Sequence, residues 1–381
     1  MRDILNIRSI TAYRLALPLR FDFKTAKGLV RIRETIVIRI EDIDGYVGYG
    51  ECVAFTDPFY TAETVEISWN KLVEDYIFNL RAMRPYPLEN YMRQLQMWLK
   101  RDAMPMTMAG LENALIHLSC SRKGVNSIAH IMKADLVNTI PMGVVIGDIP
   151  IDEVLVAVQR YVEQGCERIK LKVTPRDGYE RTKLVRSAYP HIDLAVDANQ
   201  SYTYDQLHDI ARYNDLSLKC IEEPFAIGSL EEYRQWRAEQ GEHWPIKTPI
   251  CLDESILSCD DLSYAIEHGL IDVANIKVGR LGGLMQTQGA INLCREHRIH
   301  YWIGSMVESS ISKMMHVQLA ALGDSYMAGD LSDSSRYFER DLTDPDISFV
   351  DGRMTVPTGA GLGVSVLEDR LLDYTIGTWT L

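Results

Sequence analysis

Glu167-Arg-Ile-Lys-Leu-Lys-Val173 sets two lysines into a stretch that otherwise has the make-up of a buried strand. Arg168, Lys170 and Lys172 alternate with Ile169, Leu171 and Val173, the period-two pattern of a strand, so both lysines project on one side. By itself a Lys-x-Lys pair most often belongs to an idle surface strand. The chain downstream decides otherwise. Three further apolar stretches end in acids, at Asp197, Glu222 and Asp253, and a fourth ends in Lys277. Strands are predicted at about 139–147, 167–173, 193–198, 218–223, 249–253, 272–278 and 300–305, with a weaker one near 327–331. They alternate with helical stretches such as 151–164, 203–213, 258–268 and 284–297. Near-continuous apolar strands in βα alternation mean a parallel sheet covered by helices. Seven or eight such compact units fit a closed barrel better than an open doubly wound sheet.

Upstream the pattern differs. A strand is expected over 7–19 and a loop over 20–29. A hairpin follows over 35–53, turning at Asp44-Gly45, and then a second loop, Phe55-Thr-Asp-Pro-Phe-Tyr60. Thr61 reads as a helix N-cap, and helices are expected over 61–82, 87–101, 107–122 and 127–134. Strands followed by helices suggest an α+β domain over 1–134, preceding a barrel over 135–335. The glycine-rich tail at 352–366, within a closing segment 336–381, is expected to rejoin the first domain. If a site faces that domain, the aromatic loops near 20–29 and 55–60 form its lid, with Phe21, Thr25, Phe59 and Tyr60 as the contacts.

Composition narrows the class. The 381 residues are 46% hydrophobic, enough for a large core, and the net charge of -13 argues against a nucleic-acid or anionic-membrane partner. No apolar run is long enough to span a bilayer, and the N-terminus lacks a signal-peptide pattern. The seven cysteines show no Cys-x-x-Cys spacing, so they read as small buried hydrophobes in a reducing, cytoplasmic setting.

In a barrel of this kind the chemistry sits at the C-terminal ends of the strands. Lys172, Asp197, Glu222, Asp253 and Lys277 follow one another at intervals of 25, 25, 31 and 24 residues, about one βα unit each. Three acids converging without histidine or cysteine describe an oxygen-lined site for a hard cation, Mg2+ first and Mn2+ as a substitute. Zinc would favour nitrogen or sulfur ligands. Helix capping accounts for Asn199 or Ser255 equally well, but not for acids at the strand ends themselves. Lysines beside a divalent cation and a second ammonium should lose affinity for their protons and so serve as general bases. The matching chemistry is removal of a proton next to a carboxylate, with the metal stabilising the enediolate that develops. Lys172, nearer the strand end, is the better base; Lys170, one layer deeper, tunes it.

The set Lys170-x-Lys172, Asp197-x-Asn199, Glu222-Glu-Pro224, Asp253-Glu-Ser255 and Lys277 resembles the enolase superfamily, muconate-lactonizing subgroup. Within it, Gly50-Glu-Cys-Val53, Pro58-Phe-Tyr60, Lys277-Val-Gly-Arg280-Leu-Gly-Gly283, Gly304-Ser-Met-Val-Glu-Ser309, Gly329-Asp-Leu-Ser332 and Ser335-Arg-Tyr337 resemble the o-succinylbenzoate synthase and N-succinylamino acid racemase branch. The resemblance implies a modified (β/α)7β barrel with an α+β capping domain. It also implies Mg2+ on Asp197, Glu222 and Asp253, acid–base lysines at 172 and 277, and a small carboxylate substrate in a homo-oligomeric enzyme. Asn199 and Glu254 are expected to support the metal ligands. Arg280 looks like the arginine that accompanies racemase activity in the branch, although alone it reads equally as a solvated loop charge. Ser305, Met306 and Glu308 are carried over as substrate contacts.

Two activities follow from that resemblance. One is o-succinylbenzoate synthase, a dehydratase of menaquinone biosynthesis. The other is racemisation of N-succinylamino acids with Lys172 and Lys277 as opposed bases. Dipeptide epimerisation ranks lower because Asp330-Leu-Ser-Asp333 lacks the family's Asp-x-Asp spacing, and a non-catalytic binding protein lower still because no expected acid or lysine is missing.

Overall fold

The computed structural model describes residues 3–24 and 29–381. Its N-terminal sheet is built on three antiparallel strands, β1 (Ile7–Lys24), β2 (Leu29–Asp42) and β3 (Val47–Cys52). The expected loop at 20–29 is therefore largely strand: after an irregularity beyond Pro18 the pairing resumes at Phe23 with Val30. The first helix starts at Val65, capped by Thr64 rather than Thr61, and passes through a π turn at Leu72–Tyr76 before ending at Ala82.

Helix α1 (Pro105–Lys123) is buried from Met106 to Cys120 and lies flat on the sheet. Gly48 and Gly50 of β3 permit this contact, because a Cβ at either would sit about 2 Å from a carbonyl oxygen of α1 (2.1 Å from Ala114 O and 2.0 Å from Gly110 O). Its first turn is held by Glu63, which accepts from the backbone N–H of Met106 (2.8 Å) and Thr107 (2.7 Å).

The remaining large sheet is parallel and seven-stranded. Its strands run in sequence order: β4 (Gly143–Ile146), β5 (Arg168–Lys172), β6 (Asp193–Asp197), β7 (Ile221–Glu222), β8 (Ile250–Leu252), β9 (Val273–Ile276) and β10 (His300–Ile303). Helices α2 (Ile151–Glu163), α3 (Gly178–Ala188), α4 (Leu230–Gln240), α5 (Cys259–Glu267), α6 (Leu284–His297) and α7 (Ser310–Ala320) form the outer layer. The eighth barrel position is not the strand expected at 327–331 but an extended segment. Tyr326 and Asp330 donate to Tyr301 O and Ile303 O (2.8 and 3.0 Å), and Gly143 donates to Leu331 O (3.1 Å). These bonds close the sheet into a modified (β/α)7β barrel.

Small side chains at the barrel's inner base, Ala195, Cys220, Cys251 and Val273, make room for Trp302, which fills the lumen. Lys170 and Arg168 stand over its ring, with charges 4.6 and 5.3 Å from the centroid. The lysine layer thus rests on a solid floor. All seven cysteines are free thiols.

The glycine-rich tail meets the first domain at Gly361, which bridges Asn126 and accepts from Ser127 N (2.9 Å). Within 352–366, Arg353–Thr355 pairs with Thr139–Pro141 and Ser365–Val366 with Thr343–Asp344. The segment that completes the N-terminal sheet is β11 (Thr375–Thr380), paired to β1.

Two buried glutamates of the N-terminal layer fasten it to the barrel by capping barrel helices. Glu51 accepts from Ser309 N (3.1 Å) and Ser312 N (3.3 Å) at the start of α7, and Glu112 accepts from Met285 N (2.8 Å) at the start of α6. Burial pushes the Glu112 carboxyl up to about 7, against the opposing bonds from Met285 and Leu284. The folded state therefore holds this proton more tightly than the unfolded chain. The resulting stabilisation is full below pH 4.5 and is lost as pH rises to about 7, a swing of up to about 3 kcal/mol. Urea titrations across that range should show Glu112→Gln gaining stability relative to the unsubstituted protein as pH rises. A difference that does not change with pH would refute the assignment.

Candidate active site

A cleft opens at the C-terminal ends of the barrel strands, under the N-terminal layer. Strand alternation carries Lys170 and Lys172 of β5 and Asp197 of β6 to its wall. Asp253 and Lys277 arrive just past the ends of β8 and β9. Asn199, Glu254, Ser305 and Met306 also line it, and Phe59 and Tyr60 cover it from the lid side.

Four expected contacts stand elsewhere. Glu222 is fully buried beneath the cleft, its carboxylate taken by Lys170 Nζ (2.7 Å) and Asn275 Nδ2 (2.7 Å). Arg280 is not a solvated loop charge. Its long side chain folds back behind Asp253, donating to that carboxylate, to Ile256 O (2.8 Å) and to Tyr60 Oη (3.4 Å). Glu308 lies behind the wall because it turns inward to accept from Ser305 Oγ (3.0 Å) and the Met306 N–H, and to pair with His316 Nδ1 (3.0 Å). Burial acts to raise its pKa, but the charges of His316 and Lys313 outweigh that and hold it at about 2. Phe21 packs its ring on Tyr337 (5.7 Å between centroids), and Tyr337, not Phe21, reaches the cleft. Thr25 lies outside the described residues.

Each candidate metal ligand is bonded to a cation of the chain. Lys172 Nζ donates to Asp197 Oδ2 and Asn199 Oδ1 (both 2.6 Å), and Lys277 Nζ donates to Asp253 Oδ2 (2.7 Å) and Tyr60 Oη (3.2 Å). With their charges matched in this way, no three acidic, histidine or cysteine side chains among the described residues close around a common ion position. Two of the lysines are held above their ordinary range by the protein groups around them. Burial disfavours the charge of Lys170, yet Asp330, Glu222 and Asp197 outweigh it and raise the pKa. Lys277 is likewise raised, by Tyr60, Glu222, Glu254 and Asp330 against burial.

The donor set nevertheless suits a hard cation. It is all oxygen, buried and acid-rich, and beside it an orphaned oxygen remains: Glu254 Oε2 is buried without a hydrogen-bond partner, although its other oxygen accepts from Asn199 Nδ2 (2.7 Å). Burial and the charges of Glu223 and Asp197 push the Glu254 carboxyl up to about 7, a cost that a cation or a proton would relieve. The backbone is strained at the same place, with positive φ at Asn199 (43°), Gln200 (62°) and Glu223 (39°).

Several residues here escaped the sequence reading. Glu223 pins the Asp253–Ser255 turn, accepting from the N–H groups of Asp253 and Ser255 (both 2.8 Å); the doubled Glu222-Glu223 was its signal. Arg33 ties Val53 and Ala54 to Val307 through their carbonyl oxygens and lies 4.4 Å over the Phe55 ring. It thereby joins the lid loop to the wall segment where Val307, a β-branched residue, is held at φ 58°. Asp330 and Val145 also line the cleft.

Fold and site together define a barrel enzyme with acids and lysines at its strand ends and a second structural layer over its mouth. The Enolase C-terminal domain-like family matches residues 153–370. An o-succinylbenzoate synthase of Bacillus subtilis is 35% identical over 97% of both chains. An N-succinylamino acid racemase of Thermus thermophilus is 33% identical over 92% of both. The crystal structure of an enolase superfamily member from Listeria innocua aligns with a TM-score of 0.90 at 28% identity, covering 99% of each chain. The chain belongs to the enolase superfamily, in the branch of o-succinylbenzoate synthases and N-succinylamino acid racemases. Among the described residues no helix is long and apolar enough to cross a membrane.

Proposed function

We propose that the protein is an o-succinylbenzoate synthase, converting 2-succinyl-6-hydroxy-2,4-cyclohexadiene-1-carboxylate to o-succinylbenzoate by loss of water. The observation that carries this reading is Lys172 in the cleft beside Asp197, across from Asp253, in a chain whose o-succinylbenzoate synthase relative is 35% identical over 97% of its length.

Members of the superfamily generally use Mg2+, and Asp197, Glu222 and Asp253 are the residues that would hold it here. A divalent cation so held supplies positive charge against the substrate carboxylate. The remaining steps belong to the chain. Lys172 Nζ accepts the proton from the carbon bearing the carboxylate. The hydroxyl then leaves the neighbouring ring carbon, taking that proton from Lys172 as water, and the electron pair of the broken C–H bond becomes the third ring double bond. The Lys277 ammonium offsets the negative charge that builds on the carboxylate. Phe59 and Tyr60 close over the cleft and exclude water.

N-succinylamino acid racemisation is kept as a second reading. It is favoured by the delivery of the two lysines from separate strands, β5 and the end of β9, which suits one base on each face of a planar intermediate.

The test is turnover of the cyclohexadiene substrate and, in parallel, of N-succinyl-L-phenylalanine, each with Mg2+ and with excess EDTA. Aromatisation is expected to dominate, to fall on the order of a thousandfold with EDTA, and to return with added Mg2+. Turnover of neither substrate, or turnover untouched by chelation, would overturn the proposal.

A further inference from the structure

Asp330 reaches the cleft from the extended segment that seals the barrel, and it shares one lysine with two acids assigned above to the metal. The Lys170 ammonium touches Glu222 Oε2 at 2.7 Å, Asp330 Oδ2 at 2.9 Å and Asp197 Oδ2 at 3.3 Å. Asp330 is in turn fixed from the far side. Arg168 Nη2 donates to its Oδ1 (2.7 Å), while Arg168 Nε and Nη1 are anchored on Ala328 O (2.9 Å) and Val144 O (3.2 Å). Lys170, Arg168, Glu222 and Asp197 are buried near the Trp302 ring, where unpaired charge is costly.

An ammonium and a divalent cation compete for the same carboxylate oxygens. Lys170 cannot leave this site, because it is buried on a barrel strand, so the cation's access to Glu222 depends on where else the ammonium can place its bonds. Asp330 is that place. We propose that Asp330 is a positioning residue that draws Lys170 away from Glu222 and Asp197 and thereby sets the divalent-cation affinity of the site. The inference rests on the assignment of Asp197, Glu222 and Asp253 as metal ligands.

Calorimetric titration of the full chain with Mg2+ tests it, using the unsubstituted protein, Asp330→Asn, Lys170→Met and the double variant. Asp330→Asn should weaken Mg2+ binding about tenfold in the Lys170 background and less than about twofold once Lys170 is Met, because the effect passes through that ammonium. An equal loss in both backgrounds would mean that Asp330 contributes only its charge, and would overturn the proposal. So would a normal affinity in Asp330→Asn. No Mg2+ binding by the unsubstituted protein would remove the metal assignment as well, which separates the two failures. Circular dichroism confirms that each variant is folded, and Asp330→Ser, with the same expected result, replaces Asp330→Asn if that variant does not fold.

Discussion

Lys172→Ala is expected to lower turnover of both the cyclohexadiene and the N-succinylamino acid substrates by about 10³- to 10⁴-fold, the upper range for loss of a positioned general base. Of the two lysines on β5, Lys172 is the one that opens to the cleft: its side chain keeps 18% exposure against 3% for Lys170. It can exchange its bonds to Asp197 and Asn199 for a substrate proton, because Asp197 retains Lys170 at 3.3 Å. Mg2+ affinity should survive the substitution or rise slightly, since one competitor for Asp197 has gone. Stopped-time assays alongside calorimetry check both halves. A loss of less than about tenfold with intact metal binding would place the base on another residue.

The residues that could be read in advance were those whose spacing obeyed strand geometry. Lys170, Lys172 and Asp197 are fixed by two-residue alternation, and Asp253 and Lys277 by their place just past a short apolar strand, so the cleft could be drawn from the order of the chain. What spacing does not carry is how far a long side chain folds back. Arg280 sits one helical turn beyond Lys277, and its reach takes the guanidinium behind Asp253. Glu308 is drawn from the wall by its inward partners, the Ser305 hydroxyl, the Met306 N–H and His316. Asp330 was hidden for a different reason. Its segment closes the barrel through isolated backbone bonds rather than a ladder, so no alternation marks which side faces inward. The return of the tail to the first domain was legible, but not which segment enters its sheet, because strand-like composition does not name a partner: 352–366 meets that domain at Gly361, whereas 375–380 pairs with β1.

Lys277→Arg separates the two proposed reactions. Racemisation requires residue 277 to donate a proton in one direction of turnover and to accept one in the other, and a guanidinium stays protonated at any working pH. Dehydration requires only a fixed positive charge at that position. N-succinyl-L-phenylalanine racemisation should therefore fall by about 10² to 10⁴, while aromatisation falls about tenfold or less. Space at the site is the complication. Lys277 is buried, and its Cε lies 2.7 Å from where a Cβ on Gly304 would stand, so this wall already fits the lysine closely. The guanidinium has its partners waiting in Asp253 and the Tyr60 hydroxyl. A steric fault would depress both reactions together and lower Mg2+ affinity through Asp253, so the diagnostic quantity is the ratio of the two rates at matched metal occupancy. Exchange of the α-proton with deuterium from solvent sharpens the result. With arginine at 277, exchange should persist from the enantiomer whose proton faces Lys172 and vanish from the other. Racemisation that survives undiminished would mean that a single lysine serves both faces, and Arg280, bonded to the same carboxylate, would then act by holding Asp253 rather than by supporting a second base.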